Sequence, residues 1–121
     1  MTEAGIAELR GALEDGRVTS AHLVDSYLRR IEAYDRNGPT LNSMVVLNPD
    51  APAEAAASDR RRSAGELLGP LDGIPYTSKD SFLAKGLTAA AGSHAFANLI
   101  AGSDAFAIER LRGGGAILLG L

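Results

Sequence analysis

Three consecutive glycines, Gly113-Gly114-Gly115, separate an amphipathic segment from the apolar run Ala116-Ile117-Leu118-Leu119, and this junction constrains the fold more than any other feature. Glycine ends helices because it alone enters the left-handed region without steric cost. A short apolar run that is partly β-branched reads as a buried strand. Ahead of the glycines a helix is expected from Ser103 or Asp104 to Arg112. Ala105, Ile108 and Leu111 share its inner face, with Phe106 to one side. Helix, glycine turn and buried strand make half of a strand–helix–strand unit, which places the chain in the α/β class. A phosphate-binding loop is the competing use of such glycines. Here they follow a helix instead of preceding one, and the spacing G-x-G-x-x-G is absent.

The rest of the chain fits that class. A first helix is expected over residues 3–15, with Ile6, Leu9 and Leu13 on one face, Thr2 as cap and Gly16 as stop. Thr19 or Ser20 caps a second, whose stripe is Leu23, Val24, Tyr27, Leu28 and Ile31. Asn37-Gly38-Pro39 ends it. Met44-Val45-Val46-Leu47 reads as a buried strand, and Asn48-Pro49-Asp50 as a turn. Asp50 is expected to cap an alanine-rich third helix reaching about Arg62, with Pro52 in its first turn. The run Arg60-Arg61-Arg62 falls at the carboxyl end of that helix, where cations complement the dipole. Ser63 to Pro70 is a loop, and Ile74 to Ser78 is a strand whose Pro75 limits pairing on one edge. Residues 82–92 read as irregular, with a tight hairpin at Lys85-Gly86.

The 121 residues suffice for one domain, 1–121, read as a helical hairpin over 1–40 and the start of an α/β core over 41–121. A terminal apolar strand presents an unpartnered edge, so the expectation is the front part of a longer protein. The net charge of -3 gives no electrostatic reason to expect nucleic acid or an anionic membrane. There are no cysteines, which excludes disulfides, thiolate metal sites and a cysteine nucleophile. His22 and His94 have no ligand-spaced companions, so no metal is expected. No signal peptide or membrane-spanning run is legible, and a cytoplasmic location is expected.

Of twelve cationic side chains, ten are arginines; the two lysines are Lys79 and Lys85. Arginine keeps its proton in proteins, whereas a desolvated lysine can lose one and act as a base. Lys79 stands in Gly69-Pro70-Leu71-Asp72-Gly73-Ile74-Pro75-Tyr76-Thr77-Ser78-Lys79-Asp80-Ser81, at the end of an expected strand. Functional groups gather at such ends in open α/β sheets. The plain alternatives are a solvated surface charge, or a salt bridge between Lys79 and Asp80.

The ordered set Gly69-Pro70-Leu71-Asp72-Gly73-Ile74-Pro75, Lys79-Asp80, Gly86-Leu87-Thr88-Ala89-Ala90-Ala91-Gly92-Ser93, Asp104-Ala105-Phe106 and Leu111–Gly120 resembles the N-terminal region of the amidase signature family. Gly16-Arg17-Val18-Thr19-Ser20 leading into Leu23-Val24 and Arg30-Ile31 is similar too. The resemblance implies the N-terminal portion of an α/β/α amidase-signature fold: front helices, then strands of a mixed sheet. It implies hydrolysis of a carboxylic amide through a Ser-Ser-Lys triad without a cofactor, on a small-molecule amide substrate, with a homo-oligomer left open.

Lys79 matches the family's base, which takes a proton through a bridging serine, held by a cis peptide, from a nucleophilic serine. Both serines belong to a glycine- and serine-rich segment downstream of the matched region. The chain alone is therefore expected to be inactive. Ser93 and Ser103 fall elsewhere in the pattern and read as loop and capping residues. Asp72 departs from the family, which often has histidine there. Two other readings compete: a non-catalytic fragment or interaction module derived from such an enzyme, and a lysine forming a Schiff base with a carbonyl substrate.

Overall fold

The structure, a computed structural model, describes residues 3–121. Four α-helices and two parallel strands form an α/β unit: α1 Ile6–Glu14, α2 Ser20–Arg30, α3 Ala51–Ala64, β1 Pro75–Thr77, α4 Phe106–Gly113 and β2 Ile117–Gly120. A π-helical turn, Ile31–Arg36, continues α2, and a short 3-10 turn spans His94–Phe96. The expected cap at Thr2 lies outside the described residues. Gly5 holds the cap position of α1, and its N–H donates to the Glu8 carboxylate at 2.8 Å. Thr19 caps α2 by accepting from the His22 N–H at 3.1 Å.

β1 and β2 pair in parallel, with Pro75 opposite Ile117, Tyr76 opposite Leu118, and Thr77 opposite Gly120 after an irregularity. Side chains alternate across a strand. Ile117 and Leu119 accordingly pack with Val24, Ala51 and Ala55 on the α2–α3 side. Leu118 packs with Ile108, Leu87, Ala84 and Leu121 on the α4 side. A third group, Leu9, Leu13, Leu23 and Ile74, fastens α1 to α2 and to the residue before β1. The continuous apolar run Ala116–Leu119 is thus explained: the strand is covered on both faces, as parallel strands are.

Several local expectations give way to long-range contacts. Met44–Leu47 does not form a regular strand. Val45 and Val46 donate to Leu121 O, Leu121 donates to Val46 O, and Leu47 bridges Gly120 antiparallel, so the segment borders β2 on the side away from β1. Val45 is 57% exposed, so the segment is not buried along its length as its apolar run predicts. Asp50 occupies the cap position of α3 without a side-chain cap bond; Asn48 Oδ1 takes the Asp50 N–H instead, at 3.0 Å. The turn at Lys85-Gly86 does not close a local hairpin, because Thr88 bridges Ile100. α4 starts at Phe106 with Ala105 as cap, leaving Asp104 free to accept the Lys85 N–H at 2.7 Å. Ile6 is exposed, while Leu9 and Leu13 are buried.

Candidate functional site

The segment leading to Lys79 is held by a buried carboxylate. Asp72 lies in the loop between α3 and β1, with its side chain fully removed from solvent. Arg61 donates to both of its oxygens, Nε to Oδ2 at 2.9 Å and Nη2 to Oδ1 at 2.8 Å. The Ser58 hydroxyl donates to Oδ1 at 2.6 Å, the Leu68 N–H donates to Oδ2 at 2.9 Å, and Arg62 donates to the Asp72 carbonyl at 2.7 Å. Burial opposes ionisation of Asp72, but the Arg61 guanidinium, the Leu68 N–H and the Ser58 hydroxyl outweigh it and hold the carboxyl below its usual range. The same pairing raises Arg61. The arginine run at the end of α3 therefore serves a specific ion pair as well as the helix dipole.

Gly73 follows with φ +86°, packed so closely that an added Cβ would overlap the hydroxyls of Ser20 and Ser58. Gly115, φ +84°, passes equally close to Asp72 from the other side and accepts the Gly73 N–H at 3.0 Å. These two glycines bring the entries of β1 and β2 into register.

From there β1 runs to the candidate site. The Ser78 N–H donates to Gly120 O at 3.1 Å and extends the pairing one residue past the strand. Lys79 comes next, with its side chain exposed. Its carbonyl accepts the Phe82 N–H at 2.9 Å, closing a turn over Lys79–Phe82. The Leu83 carbonyl accepts the Ala105 N–H at 2.8 Å and ties the far end of this turn to the start of α4. Asp80 is half-buried, and its Oδ1 is screened from solvent with no hydrogen-bond partner. Among the described residues no ion pair joins Lys79 to Asp80, so the salt bridge that composition allows does not form. Thr77 and Ser81 are exposed and Ser78 is half-buried. Ser93 and Ser103 lie in the loop segments before the 3-10 turn and before α4.

Beneath the site, Tyr76 packs against the α4 cluster with its hydroxyl buried and unpartnered. Burial pushes its phenol up, with the nearby Arg112 pulling the other way. Arg112 also faces Asp104 at 3.7 Å. Neither the Asp72 centre nor the buried Tyr76 hydroxyl was legible as such in the sequence. The available signals were an aspartate inside a glycine- and proline-rich loop and an arginine run one helix end away. Among the described residues no group of three or more histidines, cysteines or carboxylates could hold a metal, and no helix is long and apolar enough to cross a membrane.

Comparison with known proteins gives a consistent result. The family model described as Amidase matches residues 22–121. The chain is 42% identical over 121 residues to a glutamyl-tRNA(Gln) amidotransferase subunit from Thioalkalivibrio sulfidiphilus, covering 99% of this chain and 24% of that protein. It superposes on the native peptide amidase of Stenotrophomonas maltophilia with a TM-score of 0.94 and 43% identity, over 98% of this chain and 24% of the other. An amidase family protein from Bacillus anthracis gives a TM-score of 0.91 and 35% identity, again over 98% and 24%. The chain thus spans about a quarter of the length of these relatives, and its four helices and two strands match that share of their fold.

Proposed function

The chain belongs to the amidase family, and from that membership we propose that residues 1–121 supply the general base, Lys79, of an enzyme that hydrolyses a carboxylic amide. The observation that carries the reading is the position of Lys79. It leaves the carboxyl end of a parallel strand with its side chain exposed and no carboxylate paired to it. An ion pair would hold the ammonium form; a lysine without one is free to be covered and neutralised by an incoming segment.

The chemistry is a serine acyl transfer. A serine hydroxyl is a weak nucleophile and needs an adjacent base. Neutral lysine would accept the proton of a bridging serine, which in turn deprotonates the nucleophilic serine. The proton then returns along the same path to the leaving amine. Backbone N–H groups would stabilise the tetrahedral oxyanion. Both serines are assigned to the glycine- and serine-rich segment that the family carries beyond the region matched here. Ser78 and Ser81 are left as turn residues. Residues 1–121 alone are accordingly assigned no amide turnover.

In the complete enzyme Lys79→Ala removes nearly all hydrolysis of simple amides while the fold persists. Wild-type turnover by a folded Lys79→Ala enzyme would overturn the assignment.

One observation favours a non-catalytic interaction module as the second reading. Phe82, Leu83, Phe96, Leu99, Ile100 and Phe106 are all exposed, between 41% and 75%. Exposed large apolar side chains are available for another body to cover, in this reading a separate partner in place of the remainder of an enzyme. Sedimentation of the purified 121 residues separates the readings: a discrete folded dimer or hetero-complex favours the module, whereas a molten or insoluble chain favours a piece of the enzyme.

A further inference from the structure

Among the described residues, Asp80 is the side chain of the Lys79 turn whose acceptor is screened from solvent and has no donor. Its Oδ1 is shielded from solvent and unpartnered, while the lysine beside it is exposed. The turn that carries both residues is pinned at its ends, by the Ser78 N–H on Gly120 and by the Ala105 N–H on the Leu83 carbonyl. Nothing among the described residues fixes its middle through a side chain. A buried carboxylate oxygen without a donor is costly, and the cost is relieved when a donor arrives. A charged acceptor is also the stronger hydrogen-bond partner.

We propose that Asp80 is a positioning residue whose inner oxygen accepts a backbone or hydroxyl hydrogen from the serine-bearing segment, locking the Lys79–Phe82 turn against it. The inference rests on the assignment of Lys79 as the base. It adds a division of labour within one dipeptide: Lys79 faces the reacting groups, and Asp80 sets where Lys79 stands. No proton is moved by Asp80. Its effect is on the geometry of the proton transfer, where a displacement of an ångström can cost about 100-fold in rate.

The test compares Asp80→Ala, Asp80→Asn and Lys79→Ala in the complete enzyme, reading kcat, KM and the thermal midpoint. Asparagine keeps a carbonyl acceptor at the same place, and alanine removes it. Asp80→Ala is expected to lower kcat by about 100-fold with KM nearly unchanged, and Asp80→Asn to recover most of that loss. A kcat within about threefold of wild type in folded Asp80→Ala overturns the proposal, as does a loss in KM alone. If Asp80→Ala does not fold, Asp80→Asn decides: a kcat as low as that of Lys79→Ala would mean that the charge, not the acceptor, is required, and the proposal fails. Activity retained by Lys79→Ala defeats the base assignment itself, an outcome distinct from any result at Asp80.

Discussion

Arg61 and Asp72 form a two-point ion pair, Nε to Oδ2 at 2.9 Å and Nη2 to Oδ1 at 2.8 Å, that clamps the end of α3 to the loop entering β1. Planar guanidinium and carboxylate groups match in this geometry, which fixes orientation as well as distance. The two residues lie eleven positions apart in sequence, and their pairing carries the approach to Lys79.

Removing one partner should destabilise the protein substantially. Arg61→Ala leaves Asp72 buried without its cation, and Asp72→Ala leaves the Arg61 guanidinium without its carboxylate. Each change is expected to cost about 3 kcal/mol, the lower end of what breaking a buried pair costs. A double-mutant cycle by urea denaturation checks it: the double variant should lose clearly less than the sum of the two single losses.

Stability should fall on acidification. The Asp72 carboxyl is depressed in the folded state, and so is that of Asp35, chiefly through the Ser43 hydroxyl, with the Ser43 and Met44 N–H groups adding to it. Unfolded aspartate takes up its proton near about pH 3.9. The stabilisation is therefore complete above that value. It is lost as pH falls through it toward the lower folded values, because there the unfolded chain binds protons that the folded chain does not. Denaturation midpoints measured from neutral to strongly acidic pH should show the drop, and Asp72→Asn should flatten part of it.

Two glycines with similar backbone angles should respond differently to alanine. Gly65 has φ +73° and open space around an added Cβ, so Gly65→Ala incurs only the left-handed strain, about 1 kcal/mol. Gly73, φ +86°, would drive the new methyl into Ser20 and to 2.7 Å from Ser58 Oγ. Gly73→Ala should cost at least about 2 kcal/mol more, since overpacking adds to strain. Equal midpoints for the two variants would contradict this close packing around Gly73.

Lys79→Arg tests the chemistry at constant charge. Arginine keeps the cation but not the ability to shed a proton. The complete enzyme should lose at least about 1000-fold in kcat with its thermal midpoint unchanged. Retention of activity would mean that residue 79 acts as a fixed charge.

Asn48 ties the segment before α3 to the sheet. Its Nδ2 donates to Leu118 O at 2.9 Å, and its own N–H donates to Leu119 O at 2.9 Å. Asn48→Ala should cost about 2 kcal/mol by leaving a buried carbonyl unpaired. Hydrogen exchange should quicken at Val45 and Val46 first, where the chain borders β2.

The helices were legible because their causes are local. The stripe Leu23-Val24-Tyr27-Leu28 and the Thr19 cap predict the start of α2, whose expected end at Asn37 is reached only through the π-helical turn Ile31–Arg36, and Gly113-Gly114-Gly115 ahead of Ile117 predicts the α4–β2 junction. Met44–Leu47 misled because apolar β-branched residues signal burial, not regular pairing. Its partner is Leu119–Leu121, at the far end of the chain, and the pairing takes an irregular antiparallel form. The hairpin expected at Lys85-Gly86 failed for the same reason: Thr88 found Ile100.

Sequence alone determined the α/β class, the family motifs in their order and the candidacy of Lys79, since periodicity, turn chemistry and residue type are written in neighbouring positions. The tertiary structure decided which charges are paired. Arg61 was one arginine among ten until the loop after α3 folded Asp72 beneath it, and Lys79-Asp80 looked like an ion pair until the turn sent the two side chains to different surroundings. Pairing depends on direction and burial, and both are set by contacts between segments far apart in the chain.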